Sequence, residues 1–182
     1  MLRARGSYVP LLLGCLLVAV GVGCGSSIPD WYTTPPADDD AIYGAGVGES
    51  QDLGMATTRA QEDARVQISR NVETKVSSLF KQFREQVGDI EEGEFLQMAT
   101  DVSKSVTSSV TTATSVVDKK IEELDGGYRA YALMKMPIGE ANAAIVSRIK
   151  AQQNLYTRFR ASEAFSELED DVAAYEKWKA KQ

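Results

Sequence analysis

Apolar positions along this chain change their period several times, and each change marks an element. Tyr43-Gly44-Ala45-Gly46-Val47-Gly48 alternates with period two. That predicts a short strand with Tyr43, Ala45 and Val47 on one face and three glycines on the other. Glycine weakens a strand unless another backbone approaches closely on that side. The next segment supplies a partner. From Asp52, a good helix N-cap, to Gln86, the residues Ala56, Ala60, Ala64, Ile68, Val72, Val76 and Phe80 recur at helical spacing, and Phe83 and Val87 continue the face. The small residues come first, so that end of the helix is expected to lie against the glycines. The bulky ones come later, where the core should widen. Ala60→Phe should overpack the close contact and cost about 1–3 kcal/mol.

Gly88 to Gly93 breaks the helix, and Leu96, Ala99, Val102, Val106, Val110 and Ala113 mark a second one. Its Ser and Thr content makes it intrinsically weak, so tertiary packing must hold it. Val116 to Leu124 reads as a strand, Asp125-Gly126-Gly127 as a tight hairpin loop, and Tyr128 to Met136 as the partner strand, ended by Pro137. The partner is apolar on both faces, Ala130, Ala132 and Met134 against Tyr131 and Leu133, which predicts a central position. Gly139 to Lys181 reads as one long helix or two in line, with Ile145, Ile149, Tyr156, Phe159, Leu168, Val172 and Tyr175 as its stripe. One helix of that length would span roughly 60 Å. Its far end either bends back to cover core or projects as a partner-binding surface through Phe165, Leu168, Val172, Tyr175 and Trp178. On the projecting reading, a chain cut after Phe159 loses its partner and keeps its anchor. The fold class expected is α/β in the α+β sense: a three-stranded antiparallel sheet packed on a long helix and a long carboxy-terminal helix.

The amino terminus has a different logic. Arg3 and Arg5 precede an apolar run from Tyr8 to Val22, which closes with Val22-Gly23 before Cys24. A charged region, a hydrophobic region too short for a firm membrane span and a small-residue cleavage site make a secretory signal. With cysteine next, the junction resembles the lipobox of bacterial lipoproteins. That resemblance implies cleavage before Cys24, diacylation of its thiol and acylation of the new amino group. Two or three acyl chains anchor stably where one does not. Leu12-Leu13-Gly14-Cys15 also fits a lipobox locally, but a cut there would leave the apolar stretch Leu16 to Val22 on the mature chain. The organisation read from this is a signal over 1–23, an acylated tether over 24–40 and a single domain over 41–182. In the tether, Pro29, Pro35, Pro36 and the Asp38-Asp39-Asp40 run disfavour regular structure. Trp31 and Tyr32 are expected to fold back onto the domain, with a place at the membrane interface as the alternative. Gly25 and Ser26 after the lipidated position match, by resemblance to bacterial sorting signals, an outer-membrane destination.

Charge and composition narrow the chemistry. Removing residues 1–23 leaves 159 residues, and loss of Arg3 and Arg5 takes the formal charge from −6 to −8. An acidic domain argues against nucleic acid and against electrostatic attachment to anionic lipid. The only two cysteines are Cys15 and Cys24, so on this reading the folded domain has neither thiol nor disulfide. There is no histidine, which excludes His-based triads and most catalytic zinc sites. The glycine strand is G-x-G-x-G, without the spacing of a dinucleotide fingerprint or a P-loop. The acidic clusters Asp38-Asp39-Asp40, Glu91-Glu92-Glu94 and Glu167-Glu169-Asp170-Asp171 lack calcium-loop spacing. No catalytic, metal or cofactor residues are assigned.

Pro29-Asp30-Trp31-Tyr32-Thr33-Thr34-Pro35-Pro36 followed by Ile42-Tyr43-Gly44-Ala45-Gly46-Val47-Gly48-Glu49 resembles the bacterial "lipoprotein-20" envelope family, and the alanine-spaced helix and the Asp125-Gly126-Gly127-Tyr128-Arg129-Ala130-Tyr131 hairpin continue the match. A domain at the amino terminus of flagellar basal-body proteins is similar. The resemblance implies a small α/β lipoprotein of the outer membrane without catalytic activity, with envelope or motility proteins as partners. The functional expectation is a non-enzymatic structural or interaction module, an accessory to a surface machine such as the flagellum. The competing class is a binder or carboxylate-based enzyme acting on envelope material, which needs a pocket with convergent polar groups. Oligomeric state is left open.

Overall fold

The computed structural model describes residues 28–37, 39–88 and 91–181. A short helix α1 (Asp30–Thr33) leads into β1 (Ala41–Ser50) and the 35-residue α2 (Leu53–Val87). Then come α3 (Glu92–Ala113), the hairpin β2 (Ser115–Leu124) and β3 (Gly127–Pro137), and three helices: α4 (Ile138–Ala151), α5 (Gln153–Phe159) and α6 (Glu163–Lys179). The strands form one antiparallel sheet in the order β1-β3-β2. The hairpin turn is Asp125-Gly126, and Gly126 takes the positive φ of 91° that this turn requires.

The glycine face of β1 is where α2 lands. Gly44, Gly46 and Gly48 are buried, and a Cβ on any of them would collide with the backbone of α2 at Ala64, Ala60 or Ala56 respectively. Ala56 and Ala60 meet Ala130 and Ala132 of β3 in a small alanine cluster. Small residues on both layers bring helix and sheet into near-backbone contact, as the spacing predicted. Asp52 caps α2, accepting from the Met55 N–H at 2.8 Å. β3 is central and buried on both faces, with Ala130, Ala132 and Met134 toward α2 and Tyr131 and Leu133 on the opposite face. On that opposite face the Tyr32 ring meets the Tyr131 ring edge-on at 5.1 Å, so Tyr32 does fold back, with Trp31 beside it half-buried. Both lie in the four-residue helix α1, which the surrounding prolines had argued against.

Beyond the sheet α2 continues into a helical layer, where Phe80, Phe83, Phe95, Phe159 and Phe165 interlock with centroids 4.6–6.3 Å apart. On α3 the buried positions are Phe95, Met98, Val102, Val106 and Val110. Leu96, expected inward, is exposed instead. A 3.6-residue period traced back from Val102 arrives at Met98 and Phe95, one residue before the stripe read from the sequence.

The carboxy-terminal segment is neither one helix nor two in line. It breaks at Gln152, whose φ/ψ of −109°/103° is extended, and again before Ser162. Ser162 then restarts the helix. Its hydroxyl accepts from the Phe165 N–H at 3.3 Å and donates to the Phe159 carbonyl at 2.7 Å. Gln86 Oε1 accepts from the Ala164 N–H at 3.2 Å and joins the end of α2 to the start of α6. The segment therefore folds back, with α6 against α4.

Candidate functional site

Two places carry the functional expectations. Cys24 lies outside the described residues. The other is α6, whose five candidate positions do not form one exposed surface. Phe165 and Leu168 are buried in the core, Phe165 beside Phe83 and Tyr156. Val172 is half-buried and packed on the same core. Only the last turns face out, with Tyr175 half-buried and Trp178 55% exposed. The stripe read as a partner face is, in its first half, the means by which α6 closes the fold.

What remains is a compact aromatic and ionic cluster where α6 ends against the start of α4. Tyr175 and Trp178 stack, with centroids 5.7 Å apart and planes 27° apart. The Tyr175 ring lies directly on the Cα of Gly139, in space a Cβ would occupy. Its hydroxyl donates to Glu140 Oε1 at 3.1 Å, and Lys179 Nζ reaches the same oxygen at 2.7 Å while lying 5.8 Å from the Tyr175 ring centre. The hydrogen bond from Lys179 holds the Glu140 carboxyl below the usual carboxylate range, against the opposing effect of burial. Burial and then the hydrogen bond to Glu140 push the Tyr175 hydroxyl up, and the hydrogen bond to Glu140 raises the Lys179 ammonium. Farther along, Lys150 and Glu169 pair at 2.6 Å between α4 and α6.

Tyr175 and Trp178 also wall a shallow groove of about 650 Å³, together with Asp39, Tyr43, Lys135 and Asp171. Asn142 lies at its floor, donating to Asp171 Oδ2 at 3.4 Å. The Asn142 carbonyl oxygen has no hydrogen-bond partner and no contact with solvent, so it is sealed beneath the groove rather than offered to a ligand. Among the described residues no group of three or more His, Cys, Asp or Glu is placed to hold a metal ion, and no helix is long and apolar enough to cross a membrane.

Fold and site together define a small α+β module whose amino-terminal Tyr32 packs on its sheet and whose last helix ends in a stacked aromatic pair with Trp178 exposed. The LPP20 lipoprotein family model matches residues 29–136, and the chain belongs to that family, as an envelope lipoprotein. The match runs from α1 through most of β3 and stops before α4, so the α6 cluster lies outside it. No curated protein and no solved structure matches the chain.

The sequence signalled the buried half of α6 and missed what organises the exposed half. Glu140, Lys179 and Gly139 escaped notice because their partners lie more than 30 residues away along the chain. Gly139 held a faint signal: a glycine in the first turn of a helix, where alanine would be favoured, marks a close approach.

Proposed function

We propose that this chain is anchored in the outer membrane through lipid on Cys24 and serves there as a non-enzymatic interaction module. It contacts other envelope or motility proteins through the aromatic end of α6. Family membership supports the lipid anchor, and the charged, apolar and small-residue sequence before Cys24 supports the position of the acyl chains. The observation that carries the partner surface is Trp178, stacked on Tyr175 and more than half exposed at the end of a helix that the ion pairs of Lys179 and Lys150 hold in place. A preordered aromatic pair offers large contact area at little entropic cost, the usual anchor of an interface.

Cutting the chain after Phe159 would strip Phe165 and Leu168 from the core and test folding rather than binding. The informative variant is Trp178→Ser in the lipidated protein, used for capture from detergent-solubilised membranes. Wild type should retain envelope or motility proteins, and Trp178→Ser should lose them while melting normally. Equal capture by both moves the partner surface elsewhere. Turnover of peptidoglycan or lipid fragments by the pure protein would overturn the non-enzymatic reading.

A further inference from the structure

The fold treats the two edges of its sheet differently. At the β1 edge, three side chains of α2 bind the outward backbone groups. Asp63 accepts from the Val47 N–H at 3.1 Å, Asn71 donates to the Tyr43 carbonyl at 3.2 Å, and Arg59 donates to the Glu49 carbonyl at 2.6 Å. An edge covered in this way is not available to another strand. At the β2 edge the one such bond among the described residues is local, from the Lys119 N–H to its neighbour Asp118 Oδ1 at 2.7 Å. β2 is ten residues long, and Val116, Val117 and Ile121 on it are 44%, 46% and 42% exposed. A long edge that no described residue covers, bearing exposed β-branched residues, is a pairing surface.

The ladder shows which backbone groups face out. Antiparallel pairs alternate between bonded and non-bonded. Tyr43, Val47 and Glu49 turn outward, so their β3 partners Lys135, Tyr131 and Arg129 turn toward β2. Tyr131 and Arg129 there meet Lys120 and Glu122. Lys119, Ile121 and Glu123 therefore point their N–H and C=O groups away from the sheet, as the Lys119–Asp118 bond independently indicates.

We propose that β2 is a homodimerisation strand, pairing antiparallel with β2 of a second copy across Ile121 to make one continuous six-stranded sheet. Opposite residues in such a ladder must both be bonded or both non-bonded, so a two-fold pair centres on a residue and never between two. Centring on Lys119, Lys120 or Glu122 sets that charge against itself. Centring on Ile121 sets Ile121 against its mate and Lys119 against Glu123, an ion pair that occurs twice, while Lys120 keeps Glu122 of its own chain at 3.2 Å. Charge complementarity thus selects one register, and in it Lys119, Ile121 and Glu123, the residues with outward backbone groups, form the bonded pairs. The two-fold axis is perpendicular to the sheet. It keeps both copies of α1, which lie on the face opposite α2, on one side, so two chains reach the dimer from a common surface. The pairing itself does not depend on the lipid.

Sedimentation equilibrium of the full-length protein in excess detergent, from about 1 to 100 µM, tests this. Wild type should show a concentration-dependent dimer. Lys119→Glu, which places like charges opposite at Glu123, should weaken it at least tenfold. Lys119→Glu/Glu123→Lys, which restores opposite signs and the wild-type net charge, should return it to within about threefold. Ile121→Pro removes an outward N–H without touching the β3 ladder and should leave a folded monomer. A wild-type monomer throughout the range, leaving the edge to a strand of some other chain, overturns the proposal. So does a dimer that ignores Lys119→Glu or is not rescued by the double variant.

Discussion

Gly46→Ala isolates the contact on which the sheet half of the fold depends. The added methyl would fall 2.9 Å from the Asp63 carbonyl carbon and nearer still to the Ala60 oxygen and the Ala64 nitrogen. Carbon atoms settle at about 3.5–4.0 Å, so strand and helix would have to part by roughly 1 Å. All three obstacles are backbone, and none can turn away by changing rotamer. A gap of that size forfeits about a quarter to a half of the dispersion energy along the line from Ala56 to Ile68. Overpacking typically costs about 1–3 kcal/mol. With no flexible side chain to absorb it, the cost should reach about 3 kcal/mol, a fall of about 10 °C in melting temperature for a domain of this size. Gly93→Ala is the matched control, because a methyl there meets nothing within 4 Å and lies in the first turn of α3. It should stabilise by up to about 0.5–1 kcal/mol through helix propensity and a less flexible unfolded chain. Urea unfolding followed by far-ultraviolet circular dichroism measures both. A Gly46→Ala midpoint equal to wild type, or equal damage from the two substitutions, would refute the close approach.

Phe83→Ala should cost about 3–5 kcal/mol in the same assay, since it empties a fully buried site among Phe80, Phe159 and Phe165. Trp178→Ser should stay within about 0.5 kcal/mol of wild type, as expected for an exposed position. The end of α6 should loosen at both pH extremes. Glu140 is held below its ordinary range, so its contribution is present above that range and lost as acid titrates the folded carboxylate; Tyr175 and Lys179 are raised, so theirs is present below their ordinary ranges and lost as alkali carries the pH through the folded values. Trp178 emission in a Trp31→Phe background, compared with the same background carrying Glu140→Gln, reports both limbs, and a flat acid limb without Glu140→Gln would contradict the Glu140 assignment.

The sheet was legible because its signals are local. Alternating glycines, alanines four apart, Asp52 before an apolar period and the Asp-Gly turn each state their geometry within a few residues. The carboxy-terminal helices were not, because no glycine or proline marks Gln152 or the turn before Ser162. Ser162 with Glu163 after it is a fair N-cap signal, but it sits within the apolar stripe that reads as continuous helix. The stripe also says which face of a helix is apolar without saying what covers it. Phe165 and Leu168 are inside because Phe83 and Phe159 arrive from other parts of the chain, whereas no described residue covers Trp178 in that way. The Glu140–Lys179–Tyr175 cluster was invisible for the same reason, being assembled by the fold between α4 and α6.

The most direct test of a lipid-anchored module is the mass of its amino-terminal peptide, taken from the native protein extracted from membranes. The account predicts a chain beginning at Cys24, with diacylglycerol on its thiol and an acyl group on its amino nitrogen. An intact sequence upstream of Cys24, or a Cys24 without lipid, would contradict it.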